Sequence, residues 1–156
     1  METPVKIYTD GGCSVNPGPG GWAYIIILKT FQGEITIAQN QGAQEETTNN
    51  RMELTAVIES LKMFKSMKDV PKNVSVYTDS QYVQKGITEW IINWKRNNWK
   101  TSDKKPVKNK ELWTELDSLA SETSINWEWV RGHAGDKYNE MCDQMVKAVI
   151  CHVRNP

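Results

Sequence analysis

The chain has 156 residues, of which 38% are hydrophobic and 24% charged, and its 19 basic and 19 acidic side chains cancel to a formal net charge of zero. This length suits one compact domain with its own core, and the composition excludes intrinsic disorder, which combines low hydrophobicity with high net charge. A neutral total also excludes a uniformly basic nucleic-acid wrapper but leaves a local basic patch open. With no internal repeat or linker in the sequence, we expect one domain spanning residues 1–156.

The cysteines and the N-terminus bear on the cellular location. Cys13, Cys142 and Cys151 have no zinc-ligand spacing and cannot all pair with one another. The first residues show no signal-peptide pattern, and the longest apolar stretch, residues 22–28, is far shorter than the roughly 18 residues of a membrane span. These features predict a reducing, cytoplasmic location without membrane contact.

The first half of the chain predicts a meander followed by a helix. Residues 5–9, 22–28 and 34–41 are rich in β-formers and separated by short turns, which favours three antiparallel strands. Residues 47–50 supply N-cap candidates for a long helix. Its predicted buried stripe has helical spacing and consists of Leu54, Val57, Ile58, Leu61 and Phe64.

The second half alternates strands with helices. We predict a strand over residues 74–78, helices over 90–99 and 110–119, a short strand over 127–130 and a final helix over 137–149. The resulting order, β-β-β-α-β-α-α-β-α, predicts an α/β fold (α+β by a stricter definition). Its five-stranded mixed sheet would carry helices on both faces, with the fourth strand parallel to the first.

Four carboxylates fall where this fold would bring them together. Asp10 and Asp79 end predicted strands, and ligand sites in α/β sheets lie outside the carboxyl ends of parallel strands. Glu53 lies at the margin of its helix's buried face, and Asp143 lies mid-helix, one turn after Asn139. Four inward carboxylates require cations, and hard oxygen ligands suit Mg²⁺ or Mn²⁺ rather than zinc. Alternatively, the aspartates cap turns and Glu53 complements a helix dipole.

Five ordered motifs span most of the chain from Val5 to Val149. They are residues 8–13 with 16–21, residues 48–54, residues 78–83, the basic stretch 90–113, and residues 132–135 with Asn139, Cys142 and Asp143. Together they resemble the motifs of type 1 ribonuclease H, of the bacterial kind with a basic handle region. The resemblance implies a ribonuclease H-like fold and cleavage of the RNA strand of RNA–DNA hybrids, leaving 3′-hydroxyl and 5′-phosphate ends.

The resemblance also implies a catalytic centre. Asp10, Glu53, Asp79 and Asp143 would be the ligands of two Mg²⁺ ions, with Mn²⁺ as a possible substitute and Asp10 shared by both ions. A pair of such ions activates a water and stabilises the leaving oxygen. His133 would assist proton transfer or product release, although a lone histidine is more often structural. The extra acid beside it, Asp136, departs from the commoner bacterial sequence.

Substrate contacts follow from the same resemblance, and the expected partner is a hybrid duplex bound by a monomer. Cys13, Asn16, Glu53 and Gln81 match positions that read ribose 2′-hydroxyls, partly through the backbone. Thr48 and Asn109 match positions that hold a DNA-strand phosphate. Asn49, Trp90 and Asn139 fall in the matching motifs, with Trp90 expected near a deoxyribose.

The segment from Trp90 to Lys110 is basic and rich in tryptophan. It contains seven basic residues and one acidic residue, Asp103, which gives a local charge of +6. Lys95, Arg96 and Lys100 are the candidate phosphate contacts. Trp90 and Trp94, four residues apart, are expected to pack this segment onto the body of the protein.

Two other functions compete with a hybrid nuclease. One is a hybrid-binding module without catalysis, which the complete set of four acids argues against. The other is a transposase-like or junction-cleaving DNA nuclease, which the handle-like segment and the sequence Asn49-Asn50-Arg51 argue against.

Overall fold

The computed structural model describes residues 3–130 and 136–155. Its strands are β1 (Val5–Cys13), β2 (Gly18–Thr30), β3 (Gly33–Thr47), β4 (Asn73–Thr78) and β5 (Ser124–Trp129). They form one sheet in the order β3-β2-β1-β4-β5. The first three strands are antiparallel, whereas β4 and β5 join in parallel beside β1. The predicted mixed five-stranded sheet is confirmed.

The helices are α1 (Asn49–Ser66), α2 (Gln81–Lys85), α3 (Ile91–Arg96), α4 (Lys110–Ser121) and α5 (Lys137–Arg154), with a π-helical turn (Gly86–Trp90) between α2 and α3. Alternation along β1 divides the core in two. Ile7 packs with α1 and the helices that follow it, whereas Tyr8 packs with α5. Helices therefore cover both faces, as predicted. Within the described ranges, no helix is long and apolar enough to cross a membrane.

Strand β1 is longer than predicted, and Asp10 lies inside it rather than at its end. Gly11, Gly12 and Cys13 continue the antiparallel ladder with β2. The parallel pairing with β4 stops at Tyr8, however, so Asp10 still follows the parallel part of the strand. The sequence Asp10-Gly11-Gly12 predicts a strand that runs into a turn, but Gly11 and Gly12 instead pair with Trp22 and Gly21 of β2.

The helix predicted over residues 90–99 begins earlier and ends sooner. Ser80 caps α2 by accepting a hydrogen bond from the Val83 amide, and the helix continues through the π-helical turn to Arg96. Gly86 lies within this helical stretch and against Trp113, and a Cβ atom there would overlap the indole ring. The helix stops because Asn98 and Trp99 have φ angles of 53° and 60°.

Candidate active site

A cavity of about 580 Å³ opens beside the carboxyl end of β1. All four predicted carboxylates line it, namely Asp10, Glu53, Asp79 and Asp143. Its walls are residues 11–14 and Asn49 on one side and the second half of α5, from Val146 to Asn155, on the other. The structure thus brings together four acids that are separated by up to 133 positions in sequence.

The contact between β1 and α1 positions two of these acids. A Cβ atom at Gly11 would lie 2.4 Å from the carbonyl carbon of Met52 and 2.6 Å from the amide nitrogen of Glu53. Only glycine allows the helix backbone to approach the strand this closely. Asp10 and Glu53 therefore line the same cavity because Gly11, at the contact between β1 and α1, has no side chain.

Glu53 has a hydrogen-bond partner within the site. The hydroxyl of Ser80 donates to Glu53 Oε2, and Ser80 Oγ accepts from the Val83 amide to cap α2. Burial raises the pKa of Glu53, the Ser80 hydrogen bond opposes that shift, and the charge of Asp79 adds to it. Ser80 is 5% exposed, so this contact links α1 firmly to the start of α2.

Asp143 is paired with a cation from its own helix. Lys147 Nζ lies 2.9 Å from Asp143 Oδ2, one turn along α5, and Lys147 also lines the cavity. The hydrogen bond and the charge of Asp143 raise the pKa of Lys147. Lys147 and Arg154 therefore add two positive charges to the wall of a cavity that four carboxylates line.

The donor set fits hard divalent cations, which prefer carboxylate oxygens. As the side chains stand, however, no three His, Cys, Asp or Glu residues within 3–130 and 136–155 are arranged to hold an ion. Glu53 contacts Ser80 and Asp143 contacts Lys147. Ligation of an ion by all four acids would require Asp143 to exchange its partner. His133 lies outside the described residues.

Two of the predicted 2′-hydroxyl readers, Cys13 and Asn16, are linked by hydrogen bonds through Asn49, which lines the cavity with Cys13. The Cys13 amide donates to Asn49 Oδ1 at 2.7 Å, and the Asn49 amide donates to Asn16 Oδ1 at 3.2 Å. Gln81 is exposed at the first position of α2. Asn139 is instead 5% exposed on α5 and is not part of the described cavity lining.

A second network surrounds the predicted phosphate position. Thr48 caps α1 by accepting from the Arg51 amide. The Arg51 guanidinium donates to Asn109 Oδ1 at 3.0 Å and to Glu111 Oε1 at 2.7 Å. Asn109, with φ 60°, donates its amide hydrogen to the Tyr82 hydroxyl at 3.1 Å. Both ends of the Asn109 amide therefore have protein partners, and Arg51 links α1 to the end of the basic segment.

The basic segment, residues 90–110, rests on an aromatic cluster. The ring centroids of Trp90 and Trp94 lie 5.7 Å apart, and both rings contact Trp113 of α4. This confirms the predicted packing of the segment onto the body. Lys95 pairs with Asp117 at 3.3 Å, whereas Arg96 and Lys100 are exposed.

Sequence reasoning missed three residues of this region: Ser80, Arg51 and Lys147. Arg51 lies in a quoted motif but was given no role. The spacing of Lys147 four residues after Asp143 is typical of helical ion pairs and could have identified it. The contact of Ser80 with Glu53 depends on tertiary packing, and no local pattern marks it.

Comparison with known proteins gives the family to which this chain belongs. A sequence profile of the RNase H family matches residues 2–150. The Ribonuclease H of Treponema denticola is 54% identical over 151 residues, covering 90% of this chain and 93% of the relative. The Ribonuclease H of Ehrlichia chaffeensis is 56% identical over 146 residues, covering 94% of each.

Solved structures agree with the sequence matches. A type 1 RNase H with the type 2 active-site motif has a TM-score of 0.83 and 30% identity, covering 97% of this chain and 74% of that one. An RNase H1 in complex with RNA/DNA hybrid has a TM-score of 0.68 and 25% identity, covering 97% and 99%.

The fold and these matches first define a class, a nuclease with the ribonuclease H-like fold. More narrowly, the chain belongs to the ribonuclease H family, and it is a hydrolase that degrades RNA in RNA–DNA hybrids. The predicted family, fold and enzyme class are thereby confirmed.

Proposed function

We propose that this chain hydrolyses the RNA strand of hybrids by two-metal-ion catalysis and leaves 3′-hydroxyl and 5′-phosphate ends. The observation that supports this most strongly is the convergence of Asp10, Glu53, Asp79 and Asp143 on one cavity. Two Mg²⁺ ions, or Mn²⁺ in their place, would activate the attacking water and neutralise the leaving oxygen.

The four carboxylates have distinct parts in this proposal. Asp10, on β1, is the candidate shared ligand. Glu53 is supplied by α1, Asp79 by the residue after β4, and Asp143 by α5. His133 would hold or release a proton near the leaving group. This role is a proposal from the motif alone, since His133 lies outside the described residues.

Recognition of the RNA strand would use the cluster beside the cavity. The 2′-hydroxyl distinguishes RNA from DNA because it both donates and accepts hydrogen bonds. Matching donors and acceptors are offered by Glu53, Asn16, Asn49, Gln81 and backbone groups near Cys13. A site built for hydroxyls leaves polar groups unpaired when they are missing, at a cost of roughly 1–3 kcal/mol per buried group.

The DNA strand would be held on the side of the basic segment. Thr48 and Asn109 are the proposed phosphate contacts, and the Arg51 guanidinium beside them adds a positive charge. Trp90 would pack near a deoxyribose, and Lys95, Arg96 and Lys100 would contribute phosphate attraction. Asn139, which is 5% exposed on α5, is a proposed substrate contact from the motif alone.

A substrate panel tests the proposal. Labelled hybrid, double-stranded RNA and duplex DNA are incubated with the protein and Mg²⁺, and single-turnover rates are compared. We expect cleavage of the RNA strand of the hybrid alone, because only the hybrid offers 2′-hydroxyls on one strand and deoxyriboses on the other.

The competing functions give different results in the same panel. A binding module would retain the hybrid without cutting it, and a DNA nuclease would cut the duplex DNA. Either outcome would contradict the proposed activity. The position of the labelled ends, and their extension by a polymerase, would test the predicted 3′-hydroxyl.

A further inference from the structure

Lys147 is the one described lysine or arginine that both lines the cavity and ion-pairs with one of the four carboxylates. Its ammonium group lies 2.9 Å from Asp143 Oδ2. The side chain is 74% exposed, so it can leave this position without disturbing the core. Asp143 is 23% exposed in its side chain and is held on the cavity wall by α5.

We propose that Lys147 serves as the resident cation of the metal-free site and competes with Mg²⁺ for Asp143, so that this lysine lowers the affinity for the metal. The inference rests on the proposed function, in which the four carboxylates bind Mg²⁺. It adds a residue that sets how readily they do so.

The geometry explains the competition in two ways. First, Asp143 Oδ2 already accepts a charge-assisted hydrogen bond, which must be broken before that oxygen can ligate an ion. Second, the displaced ammonium group stays tethered to the cavity wall and repels a divalent ion. One unit charge and one double charge a few ångströms apart in water change a binding constant by about tenfold, and salt reduces the effect.

The described arrangement of the acids agrees with this role. No three potential ligands within the described ranges are placed to hold an ion together, although all four carboxylates line the same cavity. Without a cation, clustered carboxylates repel one another. Lys147 relieves part of this repulsion by pairing with Asp143. The Ser80 hydroxyl stabilises Glu53 by donating a hydrogen bond to it.

The test is a titration of the substrate-free protein with Mg²⁺, followed by amide NMR shifts around the cavity. Lys147→Met keeps the length of the side chain and removes its charge. Lys62→Met is the matched control, because Lys62 lies on α1, pairs with Glu59 and Glu115, and loses the same charge outside the cavity. We expect Lys147→Met to bind Mg²⁺ about three- to tenfold more tightly than the wild type, and Lys62→Met to match the wild type.

Thermal unfolding in EDTA supplies a second readout. Lys147→Met should melt at a lower temperature than the wild type without metal and gain more from added Mg²⁺. Unchanged or weaker Mg²⁺ binding by Lys147→Met would overturn the inference alone, provided that the wild type binds saturably and Asp10→Asn does not. If the wild type shows no saturable binding, both the inference and the metal part of the proposed function are wrong.

Discussion

At the scale of single residues, the site depends on what each polar group contacts when no ion is present. Glu53 has Ser80 and Asp143 has Lys147. The convergence of the four acids could be predicted, because Asp10 and Asp79 follow parallel-paired strand segments and the other two acids lie on helices. Their partners could not, since a hydrogen bond between Ser80 and Glu53 depends on how two distant helices pack.

The cysteines give a prediction at this scale. Cys142 is fully buried and its thiol contacts the Tyr8 carbonyl oxygen, and burial, aided by the charges of Asp10 and Asp136, raises its pKa. Burial also raises the pKa of the half-buried Cys13, whereas Cys151 is exposed. Since the thiolate is the reactive form, we expect iodoacetamide to label Cys151 first, Cys13 slowly and Cys142 only after unfolding.

Mass spectrometry of the labelled peptides between pH 7 and 9 measures this order. A raised pKa means that less thiolate forms at a given pH, so labelling of native Cys142 should stay negligible across the range. Rapid modification of Cys142 in the folded protein would contradict the packing of α5 on the sheet.

At the scale of elements, close backbone contacts explain both the success and the errors of sequence reasoning. The long amphipathic α1 and the strand β4 were predicted because their periodicity is local. The extension of β1 through Cys13 and the helix from Gln81 to Arg96 were missed. Each contains a glycine in a close tertiary contact, Gly11 with Met52 and Gly86 with Trp113, and such contacts have no local sequence pattern.

Arg51 gives a prediction at this scale because it joins α1 to the end of the basic segment. Arg51→Gln removes the donors to Asn109 and Glu111. We expect a stability loss of about 0.5–1.5 kcal/mol and a roughly three- to tenfold rise in KM for hybrid, with kcat little changed. Arg51→Lys should not restore KM, because an ammonium group cannot reproduce the planar donor geometry.

Steady-state kinetics and urea unfolding measure these effects. Lys68→Gln is the matched control, since Lys68 is exposed beyond the end of α1 and loses the same charge. A KM for Arg51→Gln within twofold of the wild type would show that the network supports the fold without positioning the substrate.

At the scale of the whole molecule, this protein has no net charge, but its acidic cavity residues and its basic segment lie in different regions. The acids converge on the cavity where β1, α1 and α5 meet. The basic segment is attached beside the N-terminal ends of α1 and α4, through Arg51 and the tryptophan cluster. We propose that one strand of the duplex lies at the cavity and the other on the basic segment. The topology could be predicted from the order of elements, whereas the cavity wall formed by the end of α5 could not, because that helix runs to Arg154 rather than to residue 149.

The central claim is that the four carboxylates act as one metal-dependent catalytic centre. The most direct measurement compares the wild type with Asp10→Asn for both cleavage and binding of a labelled hybrid in Mg²⁺. We predict that the variant loses at least about a thousandfold in single-turnover rate while its Kd for the hybrid stays within a few-fold, since the substitution removes the ligand that we propose both ions share and keeps the size of the side chain. Cleavage by Asp10→Asn within tenfold of the wild-type rate would contradict the account.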